Sequence, residues 1–286
     1  MFFKFFKGSS SHGSSLTAKA VIVPMALSGA LAALTVTGAV RGATIFNDSF
    51  SYGTPATPVA LNGQKPDVAD TTGQTWFGDT TVTANGSVAQ TGTASGGASE
   101  SLGYSFAAGN IYTLSADILD TNTTSTNWVG LAFVGVQTTG SFNNVVNPYS
   151  WMLIRGNGDL QAFGGGSGST NGTGDQVTLT TTALTAGQDN TIKIVLDMSS
   201  SNAANWTFQY FGGKAGGTLS TLGGPYRTAF TSASSIVGVG FGTYAAEPAS
   251  VDNFTFTSQA VPEPASLGLL AVGGLGLLLL GKRRHA

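Results

Sequence analysis

Between Ile111 and Leu119 the chain alternates strictly, with Tyr112, Leu114, Ala116 and Ile118 on one side and Thr113, Ser115 and Asp117 on the other. Successive side chains of an extended backbone point to opposite faces, so this period predicts a strand with one face on a core. It recurs in Thr191–Asp197, where Ile192, Ile194 and Leu196 share a face, and in Trp206–Tyr210, where Thr207 and Gln209 are the polar positions. Further β-rich runs are expected over 128–136, 150–155, 159–163, 176–180, 236–243 and 251–257. Gly, Asn, Ser and Thr turns such as Gly156-Asn157-Gly158 separate them, residues 164–174 form a low-complexity loop, and no amphipathic helical period interrupts residues 44–260. Many short strands without intervening helices predict an all-β body of two packed antiparallel sheets, a β-sandwich.

Cysteine is absent from all 286 residues, so this body has no disulfides and rests on its core, helped at most by a cation. Within residues 44–260 the cations are Lys65, Arg155, Lys193, Lys214 and Arg227, set against 13 of the 14 acidic residues of the chain. Such an acidic domain excludes nucleic acid as a partner, because phosphates require clustered cations.

The two ends read as targeting segments. Lys4, Lys7 and Lys19 precede an apolar stretch from Ala20 to Leu34, and the small residues Gly38, Ala39, Gly42 and Ala43 follow. That is the layout of a secretory signal peptide, residues 1–43, with cleavage near Ala43 or, because Arg41 sits unfavourably before that cut, after Ala39. At the other end come Pro262-Glu263-Pro264, an uncharged run from Ala265 to Leu280, and the basic cluster Lys282-Arg283-Arg284. As a helix rising ~1.5 Å per residue the run nearly crosses a thin bilayer. The positive-inside rule keeps the cluster cytoplasmic and places residues before Pro262 outside.

Val261-Pro262-Glu263-Pro264, a short Gly/Leu helix and a basic tip, in this order, resemble the PEP-CTERM tail of Gram-negative bacteria. The resemblance implies an exosortase-type membrane peptidase as partner. Pro262, Glu263 and Pro264 would be the motif it reads, residues 265–280 the transmembrane helix that holds the substrate, and Lys282, Arg283 and Arg284 the membrane stop. The chain then divides into a signal peptide (1–43), an exported β-sandwich (44–260) and a sorting tail (261–286).

The body resembles the concanavalin-like or laminin-G-like jelly roll in Phe46-Asn47-Asp48-Ser49-Phe50, Tyr112–Asp117, Trp206–Tyr210, Gly224-Pro225-Tyr226 and Val251–Phe256. In that fold the first and last strands lie side by side. Phe46 and Phe50, and Phe254 and Phe256, are spaced so that each pair points to a single face. The rings would then bury together, and Asp48 and Asp252 would meet at one rim of the sandwich.

The residues available for chemistry are few. His12 and His285 both lie in the targeting segments, so the body has no Ser-His-Asp triad, no cysteine nucleophile and no His/Cys zinc site, and it lacks Gly-x-Ser-x-Gly. Glycoside hydrolysis needs two carboxylates flanking a sugar bond. Glu100 and Glu247 are isolated in small-residue contexts, and Asp117 and Asp120 are the nearest Asp pair. Calcium, which accepts Asp and Asn oxygens, has candidate ligands in Asp48 and Asp252, or in Asn157 and Asp159. Aromatic faces can stack on sugar rings. Trp76, after a polar stretch, is expected near the surface, and Tyr149, Trp151 and Arg155 share one strand face, although Met152 and Ile154 opposite them favour burial on both sides. Trp128 and Trp206 are expected in the core. Thr-rich segments such as Thr121–Thr126 build no repeat and hence no ice-binding array. The sequence predicts an exported, non-catalytic β-sandwich at the cell surface or in extracellular polymer. The alternatives are a carbohydrate-binding module and a polysaccharide hydrolase or lyase.

Overall fold

The computed structural model describes residues 42–71, 73–91, 97–120, 126–140, 150–163, 179, 184–185, 187–244 and 249–261. Residues 1–41 of the expected signal peptide, residues 262–286 of the sorting tail, Tyr149, Glu247 and the expected 176–180 strand apart from Leu179 lie outside them, whereas Ala43, the expected end of the signal peptide, begins the first strand. Among the described residues no helix is long and apolar enough to cross a membrane.

Among the described residues sixteen strands form two antiparallel sheets. They are β1 (Ala43–Asp48), β2 (Val59–Ala60), β3 (Val68–Ala69), β4 (Phe77–Gly78), β5 (Val82–Ala84), β6 (Ala89–Thr91), β7 (Ala98–Gly103) and β8 (Asn110–Asp120). They continue with β9 (Trp128–Val134), β10 (Ser150–Arg155), β11 (Leu160–Phe163), β12 (Asn190–Met198), β13 (Thr207–Lys214), β14 (Ser220–Arg227), β15 (Gly238–Tyr244) and β16 (Ala249–Ala260). The ten-stranded sheet runs β14-β13-β12-β8-β16-β6-β5-β2, and β1 pairs with both β16 and β3. The six-stranded sheet runs β11-β10-β9-β15-β7-β4.

In the larger sheet the two-residue period decides burial. Along β12, Asn190, Ile192, Ile194, Leu196 and Met198 are buried while the residues between them are half-exposed, and β8 buries Tyr112, Leu114, Ala116 and Ile118 in step. The smaller sheet is different, because β9 is buried at every position and β10 at all but Arg155. Val129, Leu131, Phe133, Met152 and Ile154 join the main core between the sheets. Their neighbours Trp128, Ala132, Val134, Trp151 and Leu153 form a second buried cluster with Phe163. Gly130 makes the tight spacing there feasible, since a Cβ on it would lie 2.4 Å from the Met152 carbonyl oxygen.

The first and last strands are neighbours, as the resemblance implies. Phe46 pairs with Phe256 and Asp48 with Phe254, all four buried. The Phe46 and Phe256 rings stack at 5.8 Å, and Trp76 lies 5.0 Å from Phe254, 5.4 Å from Phe241 and 5.8 Å from Phe50. Strand β16 is internal to its sheet, with β8 on one edge and β1 and β6 sharing the other. The Val261 amide, at the start of the sorting tail, donates to the Gly109 carbonyl at 2.9 Å.

Candidate functional site

Asp48 has its carboxyl group in the core. One oxygen accepts the Phe50 amide at 2.8 Å, and the other accepts the Trp76 indole N–H at 2.6 Å and meets the Tyr52 hydroxyl at 2.7 Å. Burial raises its pKa, and the hydrogen bonds from Tyr52, Trp76 and Phe50 pull back against that rise. Tyr52 also bonds the Lys65 carbonyl oxygen, yet a hydroxyl has one proton to give. Asp48 and the Lys65 carbonyl oxygen therefore compete for the Tyr52 proton.

This geometry corrects two expectations. Trp76 is 1% exposed and offers no ring face to a sugar, because its indole is the hydrogen-bond partner of a buried carboxyl group. Asp48 and Asp252 do not form one calcium site. Asp48 occupies the core side of β1, whereas Asp252 lies on β16 half-exposed, out of step with the buried Val251 and Phe254. Trp151 needs the same correction. It is 1% exposed, stacks on Phe163 at 4.6 Å and packs 4.9 Å from Trp128, so it too is closed to stacking from solvent. Arg155, half-buried, directs its Nε and Nη2 at Gln161 Oε1, at 3.1 and 2.7 Å. Asn157 and Asp159 bond each other across the β10–β11 turn.

Asp252 instead meets Asp117, its partner across β8 and β16. The register slips between Asp252 and Thr255, and Asn253 adopts a left-handed conformation with φ of 50°. Such a bulge re-aims a side chain out of the ladder. The Asn253 amide nitrogen donates to Asp117 Oδ2 at 2.9 Å and to Asp252 Oδ2 at 3.3 Å, so a single amide spans the two carboxylates. Thr191 donates to the other Asp117 oxygen. Asp117, Asp252 and Asn253 line a cleft of about 330 Å³ with Asp189, Ser250 and Val88. Burial raises the pKa of Asp252, opposed by the Asn253 amide and reinforced by Asp117 and Asp189. Among the described residues no three acidic or metal-binding side chains converge closely enough to hold a metal ion.

Glu100 is the second carboxyl group in the core. It is fully buried on β7, sharing a strand face with the core residues Ala98 and Leu102, opposite Phe241 of β15, and neither of its oxygens has a hydrogen-bond partner. Burial, reinforced by Asp79, raises its pKa to about 9. Gly78 leaves room for it, since a Cβ there would come within 2.8 Å of the carboxyl carbon. Asn253 was not singled out from the sequence, and Glu100 was named there only as an isolated carboxylate, not as a core residue. A Gly/Ser context disguises Glu100 as a loop residue, whereas an Asp-Asn pair within a strand pattern is a usable bulge signal, because Asn tolerates left-handed backbone.

The remaining functional element follows β16 without a gap. Residues 260–284 match the PEP-CTERM protein-sorting motif. The motif makes this an exported protein and implies processing by an exosortase. No protein of curated function matches the chain. Similar solved structures include a lectin from Bauhinia forficata in complex with GalNAc, 11% identical, covering 71% of this chain and 98% of that one with a TM-score of 0.44. A carbohydrate-binding module from Bacillus subtilis is 12% identical and covers 72% of this chain and 97% of that one with a TM-score of 0.38. A GH43 protein from Bacillus licheniformis is 15% identical over 60% of this chain and 33% of that one, with a TM-score of 0.40.

Proposed function

We propose that this PEP-CTERM protein is a non-catalytic β-sandwich delivered to the cell surface or extracellular matrix, after an exosortase-type peptidase reads Pro262-Glu263-Pro264. The observation that carries this reading is the direct succession of folded body and sorting signal. The core strand β16 ends at Ala260, where the motif begins. The lack of His and Cys in residues 44–260 supports a non-catalytic body, as does the complete burial of Glu100. Residues 265–280 hold the precursor in the inner membrane, with Lys282, Arg283 and Arg284 on the cytoplasmic side.

The test is replacement of all three motif residues by alanine. The apolar run and basic tip remain, so the variant should accumulate unprocessed in the inner membrane, whereas unchanged processing and surface delivery would reject the reading.

A second reading, a carbohydrate-binding module, is favoured by the cleft at Asp117, Asp189, Asp252 and Asn253. Converging carboxylate and amide groups on a bulged strand are suited to sugar hydroxyls. A glycan array probed with the purified protein and with Asn253→Ala tests it, and binding lost in the variant would favour this reading over a purely structural role.

A further inference from the structure

The strand ends divide the sandwich into two poles of different character. The C-terminal end of β16, the N-terminal ends of β1 and β8, the C-terminal end of β12 and the N-terminal end of β13 lie together, as the pairings Ala43 with Ser258, Asn110 with Ala260 and Met198 with Asn110 require. Val261 leaves the fold there, bonded to Gly109, whose own amide bonds Met198. Among the connections at this pole are residues 104–109, 199–206 and 228–237, and none of these residues is charged. Ala107, Ala108, Ser201, Ala204, Thr231 and Ser232 are its exposed, small and neutral surface. Among the described residues the charged side chains bordering it include Asp70, Asp197 and Arg227, and the last two are hydrogen-bonded to neutral groups. Asp197 accepts the Ser199 amide, and Arg227 donates to the Ala204 carbonyl and to Asn205. The charges collect at the opposite pole, where Asp79, Asp117, Asp159, Asp189, Lys214 and Asp252 sit on strands or turns remote from Val261.

Only Pro262, Glu263 and Pro264 separate Val261 from the apolar run that begins at Ala265. Consecutive Cα atoms are ~3.8 Å apart, so this tether spans at most about 15 Å. A body so tethered must keep one pole against the membrane while the tail is embedded. We propose that the uncharged pole around Gly109, Ala204 and Thr231 is a membrane-facing surface that rests on phospholipid headgroups in the tail-bearing precursor, with the acidic pole directed away. The proposal rests on the tail reading above. An acidic body is repelled by an anionic leaflet, and clearing charge from the one pole the tether holds down removes most of that repulsion.

Because the chain has no cysteine, single-cysteine variants report one position each. Tail-bearing chain from a host without the peptidase would be labelled with a fluorophore at Ala204→Cys or Thr231→Cys, and at Gln188→Cys or Asn157→Cys on the far pole. Each would be reconstituted into phosphatidylethanolamine and phosphatidylglycerol vesicles carrying headgroup quenchers. Quenching several-fold stronger at 204 and 231 than at 188 and 157 is expected, and a flexible insertion of a dozen Gly and Ser residues after Val261 should erase the difference. Equal quenching at the two poles in vesicle-bound protein would overturn the proposal. A parallel chain with residues 265–280 replaced by a plain Leu/Ala spanning segment separates the two readings. If it alone binds vesicles and shows the polar contrast, the membrane-facing pole stands and the tail reading falls.

Discussion

The indole of Trp76 donates its N–H to the carboxyl group of Asp48 at 2.6 Å, inside the core and across 28 residues of sequence. The bond ties the loop before β4 to the end of β1, and the ring it orients packs on Phe254 and Phe241 from the two sheets. Removing either partner leaves a buried polar group unsatisfied. Asp48→Asn keeps the volume but can turn an amide N–H toward the indole N–H, and should cost roughly 1 to 3 kcal/mol. In a double-mutant cycle with Trp76→Phe, measured by urea unfolding, a coupling of roughly 1 to 3 kcal/mol is expected. Strict additivity would show that the two side chains are held independently.

Phe254 contacts Trp76 and Phe241 and pairs with Asp48, so the closing strand is anchored through it. Phe254→Ala should cost about 3 to 5 kcal/mol, a large part of the stability of a typical domain. Deleting residues 251–257 should abolish cooperative melting, because it removes the partner of β8 and β1 together. A truncated chain that still melts cooperatively would contradict the internal position of β16.

Gly130 offers a test of how closely β9 approaches β10. A side chain at this position meets the Met152 carbonyl oxygen and the Leu153 Cα at 2.4 and 3.0 Å, both backbone atoms of an adjacent strand that cannot rotate away. Gly130→Val should therefore destabilise by several kcal/mol despite the favourable strand propensity of valine, on the order of the overpacking costs seen in well-filled cores. A thermal midpoint within a degree or two of the parent would mean that the two strands can separate without loss.

Strands with one wet face were legible in the sequence and those dry on both faces were legible only in outline. Ile192, Ile194 and Leu196 announce β12 because water on the other side selects Lys193 and Asp197. The spacing of Phe46 and Phe50, and of Phe254 and Phe256, gives each pair a single face, whereas the pairing of the first and last described strands was implied by the jelly-roll resemblance. In β9 and β10 no such contrast exists, and Trp151 looks the same whether a sugar or Phe163 lies against it. Strands β7 and β14 went unread, because Ser99, Glu100 and Ser101 or Gly223 and Gly224 carry no apolar period. Trp76 misled for a related reason. Its polar neighbours signal a loop, and only the partner Asp48, distant in sequence, explains why the ring at the loop's end is buried.

Glu100 gives the body a definite pH response. Its pKa is raised from 4.5 to about 9 by burial, with Asp79 adding to the effect, so the folded protein binds its proton more tightly than the unfolded chain. A carboxyl group raised in this way stabilises the fold fully below its unfolded pKa, and that contribution is lost as the pH rises toward the folded value. Stability should therefore be greatest near pH 4 to 5 as far as Glu100 is concerned and decline through neutrality until about pH 9, with Asp48 acting in the same direction. At pH 7 the cost of keeping Glu100 neutral amounts to roughly 3 kcal/mol at most. Glu100→Gln removes the titration but leaves an unpartnered amide in the same place, a penalty that does not vary with pH. Urea unfolding at several pH values should give curves of stability that cross, the variant equal or slightly weaker near pH 4 and clearly stronger at pH 8. If the variant and the parent instead run parallel from pH 4 to pH 9, Glu100 titrates alike in the folded and the unfolded chain, and burial does not hold its proton.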